Sequence, residues 1–182
     1  MSEAGWQIRP EDTRDGASVE ALNAQSFGPG RFAKSAYRLR EGVAPVANLS
    51  FVAVENGVLR GSVRFWRVKV GGQECLLLGP LAVEQAERGR GIGIALMQAG
   101  IEAARRGPWS AILLVGDEPY YAKVGFTKLK PGQIRFPGPV DGHRVLGLAL
   151  KEGALETLSG DVKRGRIDIA VSAQATKLGQ PN

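Results

Sequence analysis

Residues 86–97 read AERGRGIGIALM, and the six positions from Arg88 to Gly93 hold three glycines and two arginines. Glycine carries no Cβ and tolerates positive φ, so such a loop lets a ligand approach the backbone closely. Apolar residues at helical spacing follow at once, which places the glycines at a helix N-terminus. About four N–H groups lack intrahelical acceptors there, and the helix dipole favours an anion. The chemistry on offer is capture of a phosphate, with Arg88 and Arg90 as flanking charge. Three kinds of phosphate loop compete. A Walker A loop ends in Gly-Lys-Ser/Thr, whereas Ile94-Ala95 follow Gly93. A dinucleotide fingerprint, G-x-G-x-x-G, needs glycine at Ile94 or, in the next register, at Leu96. Asp117, past the following strand, lies where a ribose-binding acid would stand, so a dinucleotide-binding domain stays open as the weaker alternative. The pattern that fits is R-x-x-G-x-G, formed by Arg88, Gly91 and Gly93.

Other groups able to do chemistry are few. Tyr120 and Tyr121 are adjacent, and a phenol with a pKa near ~10 is a proton donor at neutral pH without tuning. Glu84 follows the apolar run that ends at Val83, and Asp117 and Glu118 follow the apolar run 111–115. His143, the sole histidine, sits in a polar turn. Cys75, the sole cysteine, lies in an apolar run and reads as a small buried residue. One cysteine allows no intramolecular disulfide and argues against a thiol zinc site, so no metal is expected.

These groups need a scaffold. GWQIRPED reads as a short strand and GASVEALNAQSFG as a helix ended by Gly28-Pro29-Gly30. RFAKSAYRLREG is a second helical candidate, closed by Gly42. Asn56-Gly57 between alternating apolar runs marks a hairpin, and Gly71-Gly72 marks the next turn. Three antiparallel strands therefore precede the glycine loop. In GIGIALMQAGIEAARRG, Met97, Ile101 and Ala104 fall on one face, with Gln98, Glu102, Arg105 and Arg106 on the other. AILLV, residues 111–115, has the all-apolar character of a buried parallel strand. EPYYAKVGF reads as a short helix with its exit and HRVLGLAL as a strand. Beyond Lys151 a short helix or strand and then, past about Ala175, a frayed tail are expected.

Composition bounds the rest. The chain has 182 residues, 43% of them hydrophobic, enough for one sizeable core. Its net charge of +6 is scattered rather than striped, and no aromatic platform accompanies it: Trp6, Trp66 and Trp109 read as packing residues. Nucleic acid is not an expected partner. No run approaches the ~20 apolar residues of a membrane span, and MSEAGWQIRPED has no secretory character. A cytoplasmic address is expected.

The R-x-x-G-x-G loop resembles that of the GNAT superfamily of acetyl-CoA-dependent N-acetyltransferases. LLLGPLAV looks like that family's fourth strand, AILLV like its fifth, and PYYAKVGF like its Y-x-K-x-G-F exit. The GD-x-x-YY phrase looks closest to the YhbS-like subgroup. The resemblance spans roughly residues 6–150, which sets 1–150 as an acetyltransferase domain and 151–182 as a C-terminal extension. It implies an α/β (α+β) fold: a mixed, mostly antiparallel sheet of about six to seven strands, helices on both faces, and splayed parallel strands four and five. Acetyl-CoA would be the co-substrate. Its pyrophosphate would lie on the backbone from Arg88 through Gly89, Arg90, Gly91 and Ile92 to Gly93, and its pantetheine arm along Leu81, Ala82 and Val83. Gly79-Pro80 would force the splay, since proline cannot donate to the ladder. An amine would attack the thioester directly in a ternary complex, with the Val83 N–H on the oxyanion, Tyr121 as general acid and Glu84 as candidate base. The acceptor, a small-molecule or protein amine, would be chosen by about residues 20–45 and 127–145. A homodimer is compatible with this scheme. A non-catalytic acyl-CoA-binding module is the alternative.

Overall fold

The computed structural model describes residues 5–165; the tail expected past Ala175 lies outside them. Strand β1 (Gln7–Pro10) leads into a turn capped by Asp12, whose carboxylate accepts the Arg14 N–H at 2.9 Å. Helix α1 (Gly16–Phe27) follows and ends at Gly28, whose φ of +65° suits glycine. The second helical candidate is a 3₁₀ turn at Pro29–Ala33 and a single turn of helix, α2 (Ser35–Arg38), separated by an extended Lys34. Tertiary anchors override helical propensity here. Ser35 Oγ donates to the Pro139 carbonyl at 2.8 Å and Arg38 to that of Pro137 at 3.3 Å.

The meander is β2 (Phe51–Glu55), β3 (Val58–Val70) and β4 (Gln73–Val83), antiparallel throughout, with Asn56-Gly57 at the first turn in positive φ. Helix α3 (Ile92–Arg105) then crosses to β5 (Ala111–Val115), which runs parallel to β4. After α4 (Glu118–Tyr121) come two short strands, β6 (Thr127–Lys128) and β7 (Ile134–Arg135), and then β8 (Val145–Ala149). Past Lys151 the chain forms one helical turn, α5 (Ala154–Thr157), and β9 (Gly160–Arg164). The main sheet order is β1-β2-β3-β4-β5-β8-β6, seven strands. β9 pairs with β3 beyond the end of β2, and β7 pairs with β9. No helix among the described residues is long and apolar enough to cross a membrane.

Alternation along the central strands divides the core in two. Phe65, Leu76, Leu78, Ile112 and Leu114 face α3, where Leu96, Met97, Ile101 and Ala104 meet them. Trp66, Val68, Cys75, Leu77 and Leu113 face the opposite side, covered by Leu39 after α2 and by Ala154 and Leu158 around α5. Gly100 sets how closely α3 approaches the sheet, because a Cβ there would overlap the ring of the fully buried Phe65. Replacing a mid-helix glycine by alanine normally gains about 0.5–1 kcal/mol. Overpacking a filled core costs about 1–3 kcal/mol. The clash wins: Gly100→Ala is expected to lower stability, seen in urea denaturation as a lower midpoint with an unchanged slope.

Candidate active site

Between β4 and α3 the chain makes a 3₁₀ turn at Gln85–Glu87 and then the glycine loop. Gly89 and Gly91 adopt φ of +87° and +85°, the left-handed region where a side chain is strained. Gly91 is the N-cap of α3 and offers no side-chain cap. Among the described residues the N–H groups from Gly89 to Gly93 meet no protein acceptor. They form an open donor cradle, and the Ile92 side chain beneath it is buried in the core. Gly93 is shaped by a neighbour: a Cβ there would collide with the Tyr120 hydroxyl.

The two loop arginines differ. Arg90 is held by Glu55 at 2.9 Å and by Glu87 in a tight contact. Arg60 completes this cluster, reaching Glu84 at 2.7 Å and Glu55 at 3.7 Å. The hydrogen bond from Arg90 keeps the Glu55 carboxyl below its ordinary pKa. Arg88 makes no ion pair among the described residues; its Nε donates to the Val83 carbonyl at 3.4 Å, across the end of β4.

The sheet opens beside this loop. β4 and β5 pair only at Leu76–Ile112 and Leu77–Leu113, after which each strand runs on without the other. Opposite, on β3, Phe65 pairs with Leu78 and Val63 with Leu81, so Arg64 alone faces Gly79 and Pro80. That is a bulge in β4. Trp66 Nε1 donates to the Gly79 carbonyl at 2.5 Å and fixes it. The Glu84 N–H bonds back to the Arg60 carbonyl at 2.9 Å. Successive N–H groups of a strand point to opposite sides. The Ala82 N–H therefore faces β3, while those of Leu81 and Val83 face the opening.

Tyr121 stands at this opening. Its ring lies on Gly116, where a Cβ would collide with it, and meets Phe126 edge-on at 6.1 Å. Burial, reinforced by Tyr120 and Asp117, pushes its pKa up from the ordinary value, so the hydroxyl keeps its proton. Tyr120 is the more exposed of the pair and turns to the loop instead.

A cavity of about 600 Å³ extends from the opening to the face covered by α1 and α2. Gly79, Pro80, Leu81, Leu114, Val115 and Tyr121 form its floor; α1 and residues 31–42 roof it, and 139–144 close one side. Both segments expected to choose the acceptor thus reach it. Glu84 does not line it and is engaged by Arg60. Asp117 pairs with Arg144 at 3.2 Å and Glu118 with Lys128 at 3.1 Å. His143 is exposed on its turn, and Cys75 is fully buried, its thiol pushed up to about 11 by desolvation. Among the described residues no group of three or more His, Cys, Asp or Glu could hold a metal. Sequence reasoning missed Trp66 and Arg40 as cavity residues. Arg40 sits in a run, YRLR, whose charge alone gives no sign of direction, and Trp66 differs from an ordinary core tryptophan only by its distant partner Gly79.

Comparison with known proteins agrees with this geometry. Residues 47–128 match the acetyltransferase (GNAT) domain family. The chain is 30% identical over 161 residues to a protein of Escherichia coli K12 described as "Uncharacterized N-acetyltransferase YhbS", covering 86% of this chain and 94% of that one. The crystal structure of E. coli YhbS in complex with CoA superposes with a TM-score of 0.71 at 28% identity, over 88% of this chain and 89% of that one. A GNAT family acetyltransferase of Brucella melitensis, solved with acetyl-CoA, gives 0.66 at 26% identity, over 88% and 96%. The glycine loop, the opened strands and these relatives together place the chain in the GNAT family of acetyltransferases.

Proposed function

We propose that the protein transfers an acetyl group from acetyl-CoA to a primary amine held in the cavity. The observation that carries this is the donor cradle of Gly89–Gly93 beside a strand whose Leu81 and Val83 N–H groups face an opening. Residues Arg88–Gly93 would hold the pyrophosphate, and the Val83 N–H, beside Gly93, a pantetheine amide, with Ala82 as the residue between Val83 and Leu81. Acetyl-CoA supplies the thioester. The chain supplies the rest: the Leu81 N–H, in the cavity floor with Tyr121, donates to the carbonyl oxygen as it gains charge in place of the Val83 N–H expected from the sequence, and Tyr121 Oη holds the proton a departing thiolate needs. The balance is one N–C bond formed and one C–S bond broken; of the two protons the ammonium nitrogen loses, one goes to solvent before attack and one restores the Tyr121 hydroxyl after it has protonated the sulfur. Glu84, engaged by Arg60, serves the loop in this reading, and the ammonium proton leaves through the cavity mouth. Such an enzyme would work where acetyl-CoA is made, in the cytoplasm, as a monomer or a homodimer.

The test is acetyl-CoA binding followed by thiol release. Acetyl-CoA at 100 times its Kd should stabilise the protein by about 2.7 kcal/mol, and an amine panel should release free thiol. Stabilisation without thiol release from any amine would point to a non-catalytic acyl-CoA-binding module. The loop arginines sharpen the test. Arg88→Ala is expected to raise KM for acetyl-CoA about two- to fivefold and to flatten its salt dependence, as loss of one exposed charge contact does. Arg90→Ala, whose charge is already met by two glutamates, should change KM less than Arg88→Ala.

A further inference from the structure

The cavity wall carries a guanidinium, that of Arg40, which meets no carboxylate among the described residues; its neighbours are the Trp66 ring and the Tyr37 phenol. Arg40 follows α2, and its Nε is shut off from solvent without a hydrogen-bond partner among the described residues. It makes no ion pair among the described residues. Most other charged groups of the wall have ionic or hydrogen-bonded partners, and Lys34, like Arg40, has only an aromatic one among the described residues. Arg64 is held by Glu11 at 2.6 Å and Glu20 at 2.7 Å, and Arg144 by Asp117 at 3.2 Å. Arg31 Nη1 donates to the Gly28 carbonyl at 2.6 Å, and Lys34 lies 5.6 Å from the Phe27 ring centre. Glu41 is taken by Arg164 at 3.3 Å, and Asp141 accepts from the His143 N–H at 2.9 Å.

Arg40 is placed where it matters. Its guanidinium lies 5.8 Å from the Trp66 ring centre, and its Nη2 is 2.8 Å from where a Cβ on Gly79 would stand. It rests against the β4 bulge, two residues before Leu81. Burial lowers its pKa to about 10, which leaves it charged at neutral pH. A buried cation without a counter-charge is a costly arrangement that an incoming anion relieves. A guanidinium offers a planar fork matched to carboxylate and phosphate oxygens. On α1, Asn23 is buried in the same wall, and its Oδ1 has no hydrogen-bond partner among the described residues either.

We propose that the acceptor is a small primary amine that also bears an oxyanion, a carboxylate or a phosphate monoester, and that Arg40 binds that oxyanion. This rests on the transferase reading above and narrows it. A polycationic amine would meet the unpaired guanidinium unfavourably, so polyamines are poor ligands here.

The experiment uses α-, β-, γ- and ε-amino acids, each beside its carboxamide, and O-phosphoethanolamine beside ethanolamine. Binding is read by thermal shift and calorimetry on the full chain with CoA present, and turnover by thiol release with acetyl-CoA. At least one acid should bind the wild type about 10- to 100-fold tighter than its counterpart lacking the oxyanion, the range of a hydrogen bond to a charged group. Which pair shows this identifies carboxylate or phosphate. Arg40→Met should erase the preference while leaving the acetyl-CoA-induced shift intact, and Arg40→Lys should restore part of it. Equal binding of acid and amide, a preference that survives Arg40→Met, binding of polyamines alone, or no binding by any compound overturns the proposal. An acid that binds through Arg40 without thiol release supports the Arg40 oxyanion site but overturns the transferase reading and, with it, the acid's role as acceptor. Thiol release with no acid preference does the reverse.

Discussion

Tyr121→Phe is expected to lower kcat about 10²- to 10⁴-fold, the range lost when a positioned proton donor is removed. KM for acetyl-CoA should hardly move, because the ring still covers Gly116 and meets Phe126. The pH profile gives the sharper reading. The hydroxyl works protonated, and burial with Tyr120 and Asp117 raises its pKa above the ordinary value near 10. The wild-type rate should therefore hold through neutral pH and fall only where this raised pKa is crossed. The variant should show no alkaline fall from that source. Stopped-flow thiol release from neutral to strongly alkaline pH measures both, and equal wild-type and variant profiles would remove Tyr121 from the proton transfer.

The second large effect concerns the loop. Gly91→Val should weaken acetyl-CoA binding about 100-fold by calorimetry. Among the described residues beyond its chain neighbours, nothing lies within 4 Å of where its Cβ would stand, so no internal clash decides the outcome. What decides it is φ of +85°, which costs a non-glycine residue about 1–3 kcal/mol. A β-branched residue escapes that cost by moving the backbone, which turns the N–H groups of Gly89–Gly93 away from a common target. If the strain were kept instead, Tm would fall by about 2–4 °C per kcal/mol and affinity would stay. Measuring Tm and Kd on the same variant separates the two, and unchanged affinity would detach the loop from the donor.

These sites differ in how far the sequence discloses them. Loop and helix α3 are legible because their rules are local: glycine spacing and a buried face of Met97, Ile101 and Ala104 lie within 20 residues. The meander is legible through Asn56-Gly57 and Gly71-Gly72. The family resemblance also holds, since it rests on that same local order. Residues 31–42 misled, because Ser35 and Arg38 bond to carbonyls about a hundred residues away and break what looks like one helix. The two-residue strands β6 and β7 lie on either side of Pro131-Gly132 and are too short for alternation to reveal. The cavity was out of reach for the same reason. Arg40, Trp66 and Gly79 meet only because strand pairing brings distant positions together, and no local pattern marks them. Glu84 looked free from its place after β4, yet its partner Arg60 lies 24 residues back across the hairpin.

β3 is thirteen residues long, more than twice the length of β2, which pairs with only its first half. β9 takes over at Val68, Lys69 and Val70. Without it, a row of backbone groups flanked by two buried valines would stand open at the sheet margin, the kind of edge that recruits strands from other molecules. Residues 160–164 thus protect the protein against self-association through this margin, a safeguard of solubility that has no part in the chemistry.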